Sequence, residues 1–292
     1  KIPFIGLSFQ TSTLAAVVLM VFTANYLSKP DLRSLKFSKS LLQLWLPVLT
    51  VVLLIFPSNL STAALLFAMV LILAFVAHYP LRYLMTICGM GLAFVLLFFL
   101  LVKAFPGTFP NRIDTWVSRI ENFSNGESDD GNYQVARAKT AIVSGKIFGL
   151  GAGKSRMKNF LPQSSSDFIY AIIVEEFGLL GGIGLILLYL LLLFRIVVIA
   201  HNTMNLFGKL TVIGLGIPII FQAFINIGVA LQVLPVTGQN LPMISSGGTS
   251  AWMTCIAMGI ILSVSAKRVI PTETQEENEI SSNPISILSE SH

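Results

Sequence analysis

Hydrophobic positions in this chain run in long blocks that are separated by short polar links. Seven blocks approach the roughly 20 residues that an apolar helix needs to cross a bilayer. They cover residues 11–28, 41–57, 61–77, 83–102, 168–199, 210–234 and 243–266. Only a turn at Pro57 to Ser61 separates the second block from the third, so we expect a helical hairpin there. The pattern predicts an all-α polytopic membrane protein with seven transmembrane helices in this chain.

Composition agrees with a lipid environment. Hydrophobic residues make up 54% of the 292 residues and charged residues only 11%, whereas a soluble domain has about 25% charged residues. Too few charges are present to cover a surface that faces water. The two cysteines, Cys88 and Cys255, lie inside apolar blocks and are expected to act as small hydrophobic side chains instead of forming a disulfide.

Basic residues set the expected orientation, because cytoplasmic links are enriched in Lys and Arg. The link after the first block carries Lys29, Arg33, Lys36 and Lys39. The links after the third and fifth blocks are also basic, and Lys267 and Arg268 follow the last block. This alternation places the C-terminus in the cytoplasm and residues 103–166 outside. We expect one transmembrane domain over residues 1–270 and a disordered cytoplasmic tail, rich in Glu, over 271–292.

The large extracytoplasmic loop, residues 103–166, has nine basic residues against five acidic ones. An anionic ligand such as a pyrophosphate would explain this excess, and so would ordinary solvated surface near anionic headgroups. Apolar residues at helical spacing over 133–148 predict an amphipathic helix at the membrane surface. The following Gly149 to Ser155 lacks the spacing of a nucleotide P-loop. Its glycines are expected to allow sharp turns or a close approach to a ligand.

Candidate chemistry centres on the start of the fifth block, where Asp167, Glu175 and Glu176 occur. Ionisable groups in membrane segments are costly and are therefore candidates for function. Asp167 fits either a general base or a carboxylate that stabilises a helix N-terminus. Glu175 could support the same site, and Glu176 is expected to pair elsewhere. We find no metal cluster in the sequence, and all three histidines fall on the predicted cytoplasmic side.

Residues 234–250 form an irregular stretch between the last two blocks. Two prolines and the Gly247-Gly248 pair interrupt any continuous helix there. Irregular backbone at membrane depth is tolerated where it lines a protein cavity. The alternative is a tight outer turn that leads into a helix rich in small residues.

Four segments together resemble one known family, the SEDS proteins (shape, elongation, division and sporulation), which include FtsW, RodA and SpoVE. Gly6 to Ser12 resembles its SFQPSE motif and Pro57 to Thr62 its QPDLGT turn. The stretch from Leu161 to Gly178 resembles LPE-HTDFIFA followed by EELG, and Asn226 to Ser250 resembles NIGVA followed by LPxxGxxLPxISYGGSS. Departures include Asn59 for the Asp of QPDLGT and Ser246 for the usual Tyr. The family has ten membrane helices, so ten are expected in the full-length protein and the first three lie outside this chain.

The resemblance implies a peptidoglycan glycosyltransferase that polymerises lipid II in the bacterial inner membrane, with its active site facing outward. The Gly-Lys-Ser end of the glycine stretch favours the FtsW branch, which serves cell division, over the RodA branch. Asp167 would be the general base, and Glu175 and Asn226 would support the site. Substrate would contact Gln134, Arg137, Lys154, Arg156, Lys158, Gln239, Ser245 and Ser246.

The same resemblance implies partners as well as a substrate. Beside lipid II and undecaprenyl pyrophosphate, a class B penicillin-binding protein and other divisome proteins are expected. The sequence requires no cofactor, although a divalent cation, Mg²⁺ or Mn²⁺, could assist the pyrophosphate. Two rival functions remain open, a lipid II flippase and a non-catalytic scaffold that recruits a transpeptidase.

Overall fold

The computed structural model describes residues 10–29, 37–104, 129–160 and 166–266, and within these ranges every regular element is a helix. We number the helices α1 Thr11–Leu27, α2 Phe37–Ile55, α3 Leu60–Val76, α4 Leu81–Ala104, α5 Asp129–Gly145, α6 Ile169–Asn202, α7 Leu206–Ala230 and α8 Gly248–Ala266. All are α-helical except for a π-helical segment of α2, Leu41–Trp45, and the break in α6 described below. A short 3₁₀ helix, Met157–Asn159, lies between α5 and α6. The predicted tail at 271–292 lies outside the described residues.

Seven of these helices coincide with the seven predicted apolar blocks. Five of them, α2, α4, α6, α7 and α8, are long and apolar enough to cross a membrane. The other two, α1 and α3, are apolar helices of 17 residues each, just below that length. The chain is therefore a helical, multi-pass membrane protein.

Helices α2 and α3 form the predicted hairpin. Asn59 precedes α3, and its side-chain Oδ1 accepts a hydrogen bond of 3.1 Å from the backbone N–H of Thr62. This is the N-cap interaction that Asp makes equally well. The departure from the family's QPDLGT motif at Asn59 therefore preserves the local structure of the turn.

Helix α7 occupies the centre of the bundle and packs against α1, α3, α6 and α8. In its most apolar stretch 56% of the residues are buried, against 22% in α6 and in α8. Small residues allow this close packing, because a Cβ atom added to Gly216 would lie only 2.6 Å from Ile196 of α6. The end of α7 therefore holds a fixed position relative to the start of α6, where Asp167 lies.

A second, smaller core joins α5 to α6 and α7. It contains Ala138 and Ala141 of α5, Phe168, Ala171 and Ile172 at the start of α6, and Val229 at the end of α7. The predicted amphipathic segment at 133–148 is thus helical as far as Gly145, and its small buried face packs on protein. Val143 and Phe148, by contrast, are exposed. Contact of this exposed face with the membrane surface stays a prediction.

Candidate functional site

Helix α6 is broken at Gly178, whose backbone dihedral angles of φ 72° and ψ −172° are not helical. A continuous helix would bond the N–H groups of Leu179 and Leu180 to the carbonyls of Glu175 and Glu176. Instead, those N–H groups bond the carbonyls of Lys146 and Ile147, and the freed carbonyls accept from the N–H groups of Leu150 and Gly151. Residues 146–151 are therefore joined to α6 by four backbone hydrogen bonds, which satisfy the N–H groups of Leu179 and Leu180 and the carbonyls of Glu175 and Glu176.

Three glycines make this close backbone contact possible. A Cβ atom on Gly145 would lie 2.0 Å from the carbonyl oxygen of Val174, and one on Gly149 would lie 2.2 Å from that of Glu176. On Gly178 it would lie 2.2 Å from the carbonyl oxygen of Ile147. The glycine stretch does make sharp turns, with positive φ at Gly149, Gly151 and Gly153. Its close neighbour is the backbone of α6, so the expected close approach is made to protein.

Glu175 is completely buried beside this break, with 0% of its surface exposed. Its carboxylate accepts hydrogen bonds from the Ser155 hydroxyl at 2.5 Å and from the Ser144 hydroxyl at 3.4 Å. The backbone N–H groups of Arg156, at 3.1 Å, and Met157, at 3.3 and 3.4 Å, also donate to it. Glu175 thus ties the end of α5 and residues 155–157 to α6.

We call residues 154–158 the cationic turn. Its three charged side chains, Lys154, Arg156 and Lys158, are exposed, whereas Met157 packs at the edge of the small core that contains Phe168. Phe168 directly follows Asp167 in the chain, so the cationic turn lies on the same side of the bundle as Asp167. The turn therefore presents positive charge close to the start of α6.

Two further predicted substrate residues lie on α5. Gln134 and Arg137 are half-buried. The Arg137 guanidinium carbon lies 5.9 Å from the centre of the Phe160 ring, within the range of a cation–π contact. Phe160 lies two residues after the cationic turn, so α5 adds a fourth positive charge to this region.

Asp167 is half-buried and lies two residues before the first helical residue of α6. This position at a helix N-terminus favours its negative charge. A Cβ atom added to Gly238, where φ is +68°, would lie 3.6 Å from Asp167 Oδ2. The carboxylate is therefore in contact with the irregular stretch that follows α7.

Asn226 connects that stretch to Asp167. Its amide Nδ2 donates to the backbone carbonyl of Asp167 at 2.8 Å and to that of Gln239 at 2.7 Å. The side chain is 1% exposed, so neither carbonyl has ready access to water in its place. Asn226 thus bridges the backbone of Asp167 and the irregular stretch, and its supporting role in the site stays a prediction.

The remaining predicted contacts divide into buried and exposed residues. Gln239 is buried, and its amide donates to the Thr62 hydroxyl at 3.0 Å, so the QPDLGT-like turn meets the irregular stretch. The Ser245 hydroxyl donates to the carbonyl of Ser166 and accepts from the N–H of Leu241, both at 2.7 Å. Ser246 is exposed. Gln239 and Ser245 therefore hold the stretch against Asp167, and their roles as substrate contacts stay predictions.

Helix α8 begins at Gly248, so residues 231–247 are non-helical, as the prolines predicted. A small cavity of about 50 Å³ lies between α1, α7 and α8. Its wall is largely apolar and includes Gln222 and Thr254, but Ser250 alone of residues 234–250 lines it. This cavity does not contain any of the predicted site residues.

In the parts of the chain that the structure describes, no three His, Cys, Asp or Glu side chains come together as a metal site would require. Glu176 is half-buried, and its carboxylate has no hydrogen bond or ion pair to another described residue. The expectation that Glu176 pairs elsewhere is therefore not met within these ranges.

Comparison with known proteins identifies the family. Residues 2–269 match the FtsW/RodA/SpoVE family of cell cycle proteins. The chain belongs to this family. That match covers all seven apolar blocks and all four motif-bearing segments.

Individual relatives point to one branch of the family. The chain is 31% identical over 287 residues to a probable peptidoglycan glycosyltransferase FtsW of Enterococcus hirae, covering 93% of this chain and 69% of the relative. It is 35% identical over 275 residues to the corresponding protein of Hydrogenovibrio crunogenus, covering 90% and 67%. It therefore spans about two thirds of the length of these FtsW proteins.

The fold is also similar to a chain in a solved peptidoglycan synthase complex. The TM-score is 0.68 and the sequence identity is 28%, with 92% of this chain and 73% of that chain covered. The arrangement of helices described above is therefore one that this family uses.

Sequence reasoning missed the residues that hold Glu175 in place. Ser144 lies in the last turn of α5 and Ser155 in a turn after it, and nothing in their spacing links them to a glutamate 20 or more residues later. Thr62 was more accessible to prediction, because it belongs to the QPDLGT-like turn that the resemblance had already marked. Its contact with Gln239, 177 residues away, required the fold.

Replacing Asn226 by Leu is expected to lower the free energy of unfolding by about 2–6 kcal/mol, because two carbonyls lose their donor at about 1–3 kcal/mol each. Thermal unfolding of the detergent-solubilised protein measures this. Gln222 is the matched control, since it lies one turn earlier on α7 and its amide has no hydrogen-bond partner among the described residues. Equal losses in Asn226→Leu and Gln222→Leu would contradict the bridging role.

Proposed function

We propose that this protein is a peptidoglycan glycosyltransferase that polymerises lipid II into glycan strands during cell division, with Asp167 as its general base. The observation that carries the proposal is the position of the Asp167 carboxylate. It lies at the N-terminus of α6, against the irregular stretch and on the same side of the bundle as the cationic turn. Similarity to proteins named probable peptidoglycan glycosyltransferase FtsW supports it.

In the proposed reaction, Asp167 accepts the proton of the 4-hydroxyl group of the acceptor sugar. The hydroxyl oxygen then bonds to the anomeric carbon of the lipid-linked donor, and the bond from that carbon to undecaprenyl pyrophosphate breaks. Negative charge grows on the pyrophosphate as it leaves. Lys154, Arg156, Lys158 and Arg137 are the cations placed to stabilise that charge, with Gln134, Gln239, Ser245 and Ser246 as further candidate contacts.

The proposed topology follows from the charge pattern. Seven helices, α1 to α4 and α6 to α8, span the bacterial inner membrane. Residues 103–166 face outward, so that Asp167 meets lipid II on the outer side, and the C-terminus is cytoplasmic. A divalent cation could assist the pyrophosphate by binding its oxygens, because this requires no protein ligand cluster.

A class B penicillin-binding protein is the proposed partner, because a glycan polymerase must deliver its strands to a transpeptidase. The structural similarity to a chain of a peptidoglycan synthase complex supports this partnership. Other divisome proteins are expected to join through that pair.

The full-length protein, purified with its transpeptidase and supplied with lipid II, is expected to produce glycan strands that can be resolved by gel electrophoresis. Mg²⁺, Mn²⁺ and a chelator, compared in parallel, test whether a cation is needed. Absence of strands, together with movement of fluorescent lipid II between leaflets of a vesicle, would favour the flippase. Absence of both activities with retained transpeptidase binding would favour the scaffold.

A further inference from the structure

Glu175 is a carboxylate that cannot touch substrate, since none of its surface is exposed. Even so, all of its described hydrogen-bond donors except Ser144 belong to the cationic turn. We propose that Glu175 is a positioning residue, which holds the cationic turn in place relative to Asp167 so that its charged side chains meet the pyrophosphate. This inference rests on the proposed function and deepens it.

The chemistry of the donors calls for a carboxylate at this position. Two hydroxyl groups and two backbone N–H groups point at its two oxygens. An ionised carboxylate is an acceptor only, so both of its oxygens can receive such donors. A glutamine side chain would keep one oxygen as an acceptor. Its NH₂ group would replace the other oxygen, and because that group is itself a donor it cannot accept from the surrounding donors. Hydrogen bonds to a charged acceptor are also shorter and stronger than those between neutral groups.

The cationic turn is held at two points. Glu175 binds it through Ser155 and the backbone, and Met157 packs from the turn toward Phe168. Glu175 lies in the second turn of α6, and Asp167 precedes that helix by two residues. One short segment of the chain therefore carries both the proposed base and the anchor of the cations. Releasing the anchor would leave Asp167 in place and free the turn to move.

The structure also offers a control that distinguishes a positioning role of Glu175 from a general requirement for negative charge on α6. Glu176 is the next residue on the same helix, and its side chain has no described partner. Glu175→Gln and Glu176→Gln make the same chemical change one residue apart. Ser155→Ala removes the hydrogen bond from the Ser155 hydroxyl to Glu175 and changes no residue of α6.

The experiment measures kcat and KM for lipid II polymerisation by the full-length protein with its transpeptidase, for wild type and these three variants. Misplacement of a reacting or charged group by about 1 Å can cost on the order of 10²-fold in rate. We expect kcat/KM to fall about tenfold to 10²-fold in Glu175→Gln, to fall less in Ser155→Ala, and to be unchanged in Glu176→Gln. If Glu175→Gln does not fold, Ser155→Ala carries the test.

The same Glu175→Gln change, made in a protein that lacks the cations of the turn, distinguishes a positioning role for Glu175 from a role in stabilising the fold. In a protein in which Lys154, Arg156 and Lys158 are all alanine, Glu175→Gln should have no further effect, because no cation is left to position. An equal loss in both backgrounds would overturn the inference, and so would wild-type kinetics in Glu175→Gln. An inactive wild type would instead remove the proposed function, and the positioning role with it.

Discussion

Asp167→Asn is expected to lower the rate of lipid II polymerisation by about 10²- to 10⁴-fold, the range that general base catalysis contributes. Asparagine has nearly the same shape as aspartate but does not accept a proton at neutral pH. The backbone carbonyl of Asp167 would still receive its 2.8 Å hydrogen bond from Asn226. The variant should therefore fold and retain its position against Gly238, so that the loss falls on chemistry.

The measurement is a single-turnover polymerisation assay with saturating lipid II, accompanied by a binding assay for the transpeptidase. Glu176→Gln is the control, because it replaces a carboxylate by an amide on the same helix and lies outside the proposed site. An Asp167→Asn protein that polymerises at the wild-type rate would show that Asp167 only stabilises the helix N-terminus. A variant that fails to bind the transpeptidase would show that its loss of activity comes from misfolding.

Gly149→Ala is expected to lower the free energy of unfolding by more than about 3 kcal/mol. A side chain at positive φ costs roughly 1–2 kcal/mol. In addition, the new Cβ would lie 2.2 Å from the Glu176 carbonyl oxygen, so the two backbones must separate. The hydrogen bonds of Leu150 and Gly151 to α6, each 2.9 Å long, would then weaken.

Gly153 is the matched control for this change. Its φ of +75° is close to the +79° of Gly149, and a Cβ atom there would meet nothing within 4 Å. Gly153→Ala should therefore show the conformational cost alone, about 1–2 kcal/mol. Thermal unfolding in detergent compares the two, and equal shifts in melting temperature would mean that residues 146–151 are not held tightly against α6.

How much of this fold could be predicted depended on the range of the interactions involved. The helix of 25 residues at Leu206–Ala230 and the cap at Asn59 follow from local patterns. An apolar helix satisfies its own backbone hydrogen bonds, so length and hydropathy alone predict it in a membrane. The break at Gly178 was only partly predictable, because several glycines lie close together and composition does not say which of them leaves the helical conformation.

The candidate site shows the same division. Asp167, Glu175 and Asn226 were selected from the sequence because polar groups in apolar segments are costly and because their motifs resemble the family's. Their partners could not be selected in this way. Ser155 meets Glu175 only because residues 146–151 replace the broken turn of α6, and Thr62 meets Gln239 only because α3 packs beside α7.

The amino-acid sequence by itself determined the helices, the lipid environment, the family and the side chains able to carry chemistry, because these depend on local composition and spacing. The tertiary structure alone decided that the glycine stretch packs on a helix backbone, and that Glu175 lies beneath the cationic turn. The physical reason is that close approach and burial depend on what lies opposite a residue. A buried carboxylate is stable only where the fold brings donors to it from distant parts of the chain.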